Sequence, residues 1–167
     1  MEEQEINQIL LKTAFSVMVC DGEIDNSEIE AIKLAAEKEN TFGDLDISSE
    51  LDAMRKQINN EGHRFLQKYF SELESTDLSK EAELEVVKIA INTIYADQKV
   101  QNSEVKFFKV IRSVLNISNE EILEEMPDIE EFLEDDIISK SYIASLKLGY
   151  LDTIELPKFE EIDFGTE

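Results

Sequence analysis

The chain has 167 residues, and its 42% apolar content is enough to bury one ordinary hydrophobic core. It carries 39 acidic and 16 basic residues, and the net charge of −23 disfavours binding to nucleic-acid phosphates and to anionic lipid headgroups. Because it has one cysteine and one histidine, a zinc site built from thiolates and imidazoles is excluded, as is most nucleophile–base catalysis.

The negative charge is concentrated in the two ends of the chain. Residues 1–50 carry 13 acids and 3 bases, residues 51–118 carry 10 of each, and residues 119–167 carry 16 and 3. We therefore expect the partner to be a divalent cation or a basic protein surface, and no direct nucleic-acid contact. A lone cysteine and the absence of a basic-then-apolar leader in MEEQEINQ predict a cytoplasmic protein. The longest uncharged runs have eight residues, too few for membrane insertion.

Helical periodicity runs through most of the sequence. The first predicted helix, Glu3–Cys20, is apolar around most of its circumference, and so is a later one, Glu81–Ala96. A short polar loop and a helix with one apolar face follow each of them. The sequence therefore predicts two helical hairpins whose first helices are buried at the centre.

Further helices are predicted between and after the hairpins. Ser48 or Ser49 can cap a helix that continues to Gly62, where the chain either bends or splits into two helices. Ser118 and Glu121 form a capping-box pattern at the start of a short helix that Pro127 ends.

The last part of the chain is predicted to be an acidic helical extension. One helix is marked by apolar residues between Ile129 and Ile137, a second covers Tyr142–Leu148, and an acidic tail with apolar anchors follows Pro157. Residues 1–126 are expected to form one helical domain on which residues 127–167 pack. With no persistent strand-like alternation, the predicted fold is all-α, a compact helical bundle of two pseudo-repeated hairpins plus carboxy-terminal helices.

The two hairpins repeat in sequence at an offset of 76 residues. Residues 14–40 align with residues 90–116 without a gap, and most of the identities fall in one short loop. The shared loop residues are Asp21/Asp97, Asn26/Asn102, Ser27/Ser103 and Glu28/Glu104. An apolar match alone would indicate only a helix that faces a core. The repetition of polar loop residues indicates that the loop itself is built in the same way twice.

The repeated loops supply carboxylates that are candidate metal ligands. If the hairpins pack as pseudo-symmetric partners, carboxylates from both loops converge, and they repel one another unless a cation or a proton lies between them. Hard oxygen ligands favour Ca²⁺ or Mg²⁺. The candidate metal ligands are Asp21, Glu23, Asp25, Glu28, Asp97 and Glu104.

Residues 5–123 resemble the tellurite-resistance TerB family, whose relatives include the amino-terminal domain of a membrane-tethered J-domain co-chaperone. The family pattern, A-x-A-D-G-x-(I/V)-x-x-x-E between two helices, is approached by residues 19–28 and again by residues 95–104. The resemblance implies a compact helical bundle that gathers acidic residues on one surface and binds a divalent metal in a bacterial stress response. The second copy departs from the pattern, because Gln98 replaces the glycine and Lys99 and Gln101 replace acidic residues of the first copy.

Other interpretations of the loops stay open. In a purely structural interpretation, Asn26 or Ser27 caps the second helix, Glu28 lies in its positive first turn, and Asp21 closes the hairpin through amide hydrogen bonds. A second alternative is an acidic protein-interaction module, or a mimic of nucleic acid that occupies a basic groove. An enzyme ranks third, because the sequence shows no nucleophile–base set and no phosphate-binding glycine loop. We therefore expect a non-catalytic protein.

Overall fold

The computed structural model describes residues 3–20, 24, 26–43, 45–96, 102–129 and 133. This part of the chain is all-α: it contains helices packed into a bundle and no strand, as the periodicity predicts. The elements are α1 (Glu3–Val19), α2 (Asn26–Glu39), α3 (Ile47–Glu61), α4 (His63–Ser75), α5 (Lys80–Tyr95), α6 (Asn102–Val114), α7 (Asn119–Glu125) and a 3₁₀ turn (Pro127–Ile129).

Helices α1 and α5 form the centre of the bundle. They pack against each other more extensively than any other pair of described helices. Phe15 and Met18 on α1 and Ala90 and Ile94 on α5 are fully buried. Because each helix is apolar on most of its circumference, it buries surface against neighbours on several sides instead of one. The predicted position of these two helices is confirmed.

Helix α4 contacts both hairpins through aromatic side chains: α1 of the first hairpin and α6 of the second. Phe65 packs edge-on against Phe15 of α1 with ring centroids 5.4 Å apart, and Phe70 contacts Phe107 of α6 at 5.1 Å. The hydroxyl groups of Tyr69 and Thr13 lie 2.7 Å apart in the core, which satisfies both buried polar groups. Aromatic pairs of this geometry contribute about 0.5–1.5 kcal/mol beyond their buried area.

Gly62 divides the middle helical stretch into α3 and α4. Its φ of 57° and ψ of −131° lie in a region that glycine adopts readily, and its amide donates to the Ile58 carbonyl at 2.7 Å. Of the two predicted outcomes at this glycine, a bend or a split, the structure shows the split.

Capping at the other helix ends confirms one prediction and corrects another. Ser118 and Glu121 form the predicted capping box at the start of α7, and this helix ends before Pro127. Neither Ser48 nor Ser49 caps α3. The cap is Asp46, whose side chain accepts a hydrogen bond from the Ser49 amide at 3.2 Å. The helix begins at Ile47, which is two residues earlier than a Ser48 cap would require and three earlier than a Ser49 cap would require.

The start of the acidic extension contacts the same core. Ile129 and Leu133 are buried within the single hydrophobic cluster to which α1 and α5 belong. The predicted helix Tyr142–Leu148 and the tail beyond Pro157 lie outside the described residues. None of the described helices combines the length and the hydropathy that crossing a membrane requires.

Candidate functional site

The helix boundaries on either side of the repeated loops follow the sequence offset. Helix α1 ends at Val19 and α5 ends at Tyr95, while α2 begins at Asn26 and α6 begins at Asn102. Both pairs are 76 residues apart, the offset at which the sequences align. These matching boundaries support the internal repeat, although the superposition of the two hairpins stays a prediction.

Glu28 and Glu104 are the described members of the predicted ligand set. Each is the third residue of its helix, α2 or α6, and their exposed fractions are only 3% and 2%. A first-turn position favours a carboxylate, because the helix dipole is positive there. Burial opposes the charge, since a carboxylate removed from water needs a hydrogen-bonding or cationic partner or else takes up a proton. The structure therefore places a buried acidic side chain in the first turn of both second helices, α2 and α6.

The other four predicted ligands, Asp21, Glu23, Asp25 and Asp97, lie outside the described residues. Within the described part of the chain, no three Asp, Glu, His or Cys residues form a group able to hold a metal ion. Helix α2 begins at Asn26, so Asn26 and Ser27 are its first two residues and its cap position is residue 25, which is also undescribed.

Cys20 directly precedes the predicted ligand Asp21, whereas His63, the one histidine of the chain, is more than thirty positions from any predicted ligand. Cys20 is buried at the end of α1, and its thiol donates to the Val17 carbonyl at 3.0 Å. Cys20 is thus a small buried residue of the core. His63 is the first residue of α4, and its side chain lies outside the described part.

Glu83 is a buried carboxylate that the sequence analysis missed. One of its oxygens accepts hydrogen bonds from the amides of Asn116 at 2.8 Å and Ile117 at 2.7 Å, in the chain that leaves α6. The equivalent residue of the first hairpin, 76 positions earlier, is Asn7. A side chain at Gly43 would meet the Asn7 amide, so Asn7 likewise approaches the chain that leaves α2. Glu83 is thus structural, because its charge is used to hold a loop.

A pocket of about 320 Å³ opens between α2 and α5. Ala31 and Ala35 line it from α2, Lys88 and Asn92 line it from α5, and Met126 lines it from the chain after α7. The Lys88 ammonium lies 3.7 Å from Glu85 and 3.9 Å from Glu125, distances too long for good hydrogen bonds. The volume is at the lower end of the range for ligand pockets, about 300–1,000 Å³. We refer to this feature as the α2–α5 pocket.

On the described surface, some acidic side chains form close ion pairs and others are exposed to solvent. Hydrogen bonds from Arg55 and Lys56 hold the pKa of Asp52 below its usual value, and those from Ser118 and Lys80 do the same for Glu121. Helix α7 and the following turn expose Glu120, Glu124, Glu125 and Asp128. Exposed ion pairs of this kind contribute little to stability, so these acids mainly set the surface potential.

The chain matches no protein-family model, no curated protein and no solved structure.

Proposed function

We propose that this chain is a non-catalytic helical protein that binds a divalent cation, Ca²⁺ or Mg²⁺, at its repeated loop–helix junctions. The observation that carries the proposal is the burial of Glu28 and Glu104 at equivalent positions of α2 and α6. The resemblance of both loops to the TerB pattern supports a role in a bacterial stress response of the tellurite-resistance type.

The chemistry of the junctions supports a hard cation. Each buried glutamate follows a loop that contains an aspartate seven positions earlier, Asp21 or Asp97. A cation between such carboxylates replaces their repulsion with attraction, and oxygen ligands favour Ca²⁺ or Mg²⁺ over softer metals. The first loop adds Glu23 and Asp25, so it is expected to hold the ion, with the second loop assisting at most.

Thermal melting with and without cation tests this proposal. Ca²⁺ or Mg²⁺ at 100 times its dissociation constant should stabilise the folded protein by about 2.7 kcal/mol if it binds only that state. Asp21→Asn should abolish most of this gain, whereas Asp97→Asn should leave a substantial part. Glu28→Gln, which keeps the shape and removes the charge, should reduce the gain, while Glu74→Gln at an exposed position of α4 should not.

The same variants distinguish whether Asp21 is a metal ligand or a structural cap of the hairpin. Without metal, Asp21→Asn should be neutral or stabilising if carboxylate repulsion dominates, and destabilising if Asp21 closes the hairpin. Melting that is insensitive to millimolar Ca²⁺, Mg²⁺ and Mn²⁺, together with a destabilised Asp21→Asn variant, would refute cation binding and leave the structural interpretation.

The exposed acids of α7 and its following turn favour a second candidate, an acidic surface that binds a basic protein. Its probe is a lysine-rich peptide, whose binding should weaken steeply with added salt. Reversing Glu124 and Glu125 to lysine should reduce this binding without changing the cation-induced gain in melting temperature. Peptide binding that is unaffected by the reversal would exclude this surface.

A further inference from the structure

The inner wall of the α2–α5 pocket is apolar and belongs to the hydrophobic core. Ala14, Phe42 and Ile32 are 0%, 1% and 3% exposed, and they come from α1, from the chain after α2 and from α2 itself. The apolar side chains that line the pocket are Ala14, Ala31, Ile32, Ala35, Phe42, Ile89 and Met126. Water gains little from such a wall, so an occupant with an apolar group is favoured.

The rim of the pocket presents opposite charges on one face of α5. Glu85 and Lys88 are three positions apart, and both line the pocket. The Lys88 Nζ atom lies 3.7 Å from Glu85 Oε1 and 3.9 Å from Glu125 Oε2. Both distances exceed the roughly 2.7–2.9 Å of a charge-assisted hydrogen bond. The ammonium and the carboxylate at the rim therefore have room for closer polar contacts.

The equivalent face of α1 is covered. Lys12, 76 positions before Lys88, has its ammonium 3.0 Å from Glu72 of α4, and Ser16 one turn later is 0% exposed. Asn92, the equivalent of Ser16 on α5, is exposed and lines the pocket. The polar groups that α4 covers on α1 thus have exposed counterparts on α5.

The charges at the rim select a ligand that carries both signs. A ligand with only a negative charge is repelled by Glu85, by Glu125 and by the net charge of −23, and a ligand with only a positive charge is repelled by Lys88. A zwitterion has no net charge and offers each rim residue an opposite partner. An α-amino acid joins its ammonium and its carboxylate through one carbon atom, so both groups reach side chains that are one helical turn apart.

We propose that the α2–α5 pocket binds an apolar α-amino acid of the size of leucine or phenylalanine. Its carboxylate contacts Lys88, its ammonium contacts Glu85, and its side chain packs against the apolar inner wall. The pocket shares no residue with the predicted cation ligands, so this binding does not depend on the proposed cation.

Isothermal titration of the full-length chain with L-leucine and L-phenylalanine tests the proposal. Both should bind saturably, and three analogues that each lack one feature should bind about tenfold more weakly than leucine. These are N-acetyl-L-leucine without the ammonium, L-leucinamide without the carboxylate, and glycine without the apolar side chain. Absence of binding by leucine and phenylalanine at about 10 mM, or equal binding of leucine and N-acetyl-L-leucine, would overturn the proposal.

Charge-removing variants assign each ligand group to its residue. Glu85→Gln should weaken leucine binding about tenfold and leave N-acetyl-L-leucine unaffected, because that analogue has no ammonium to lose a partner. Lys88→Gln should likewise weaken leucine and spare leucinamide. Glu81→Gln and Lys80→Gln remove the same charges from exposed positions of α5 outside the pocket and should leave leucine binding unchanged. An equal loss in the pocket variants and their controls would refute the assigned contacts.

Discussion

The inner faces of α2 and α6 show how two similar sequences reach different packing. Both helices begin at equivalent asparagines and bury an equivalent glutamate, Glu28 or Glu104, in the first turn. One helical turn later they diverge, because α6 inserts Phe107 into the core while α2 has Ala31 beside a pocket. The two hairpins thus share the polar residues at their loop–helix junctions but differ in the volume of the side chains one turn later. Equivalent substitutions in the two hairpins should therefore change stability by different amounts.

The largest effect should come from making α6 resemble α2. Phe107→Ala removes a ring that is 1% exposed and leaves Phe70 without its partner 5.1 Å away, so it should destabilise the protein by about 3–5 kcal/mol. The measurement is urea denaturation followed by circular dichroism. Leu34→Ala on α2 is the control, because Leu34 is 49% exposed and its truncation should cost about 0.5 kcal/mol or less. Similar losses for both variants would show that the dense packing of α6 contributes nothing.

A smaller loss of stability should follow when the polar residues that contact the chain after each hairpin, Glu83 and Asn7, are replaced. Glu83→Ala deprives the Asn116 and Ile117 amides of their acceptor and should cost about 2 kcal/mol, since Ile117 is buried and Asn116 is accessible to water. Glu83→Gln keeps an acceptor oxygen and should recover part of this loss. At the equivalent position of the first hairpin, Asn7→Ala should cost about 0.5 kcal/mol. An equal cost at residues 7 and 83 would contradict the difference between the two loops.

The smallest effect should appear at high pH and involve Tyr69 of α4, the helix that packs on α1 and α6. Burial raises the pKa of Tyr69 above its ordinary value of 10.0, although the hydrogen bond between the Tyr69 and Thr13 hydroxyls opposes the shift. The unfolded chain therefore releases this proton at a lower pH than the folded chain, and stability falls as the pH rises above about 10. Tyr69→Phe should cost about 0.5–1.5 kcal/mol at neutral pH and weaken the alkaline loss. Identical alkaline melting profiles for parent and variant would mean that Tyr69 is not the responsible group.

Much of the architecture could be predicted from local sequence. Apolar spacing located the helices and distinguished the all-apolar α1 and α5 from their one-faced neighbours, because a central helix must bury several faces. The Ser118–Glu121 pattern specified a cap, since both of its hydrogen bonds are made within one turn. Prediction failed at α3, where Asp46 competes with Ser48 and Ser49 for the same role and the starting residue decides which side chain reaches the free amides.

Of the candidate site, the sequence by itself determined which residue types recur and at what interval. The offset of 76 and the repeated carboxylates are properties of the chain, as is the net charge of −23, which disfavours anionic partners. Only the tertiary structure decided that Glu28 and Glu104 are buried, that Glu83 holds a loop more than thirty residues away, and that Ala31 borders a pocket while Phe107 fills the core. Burial and cavity volume depend on which distant helices meet, and local periodicity carries no information about that pairing.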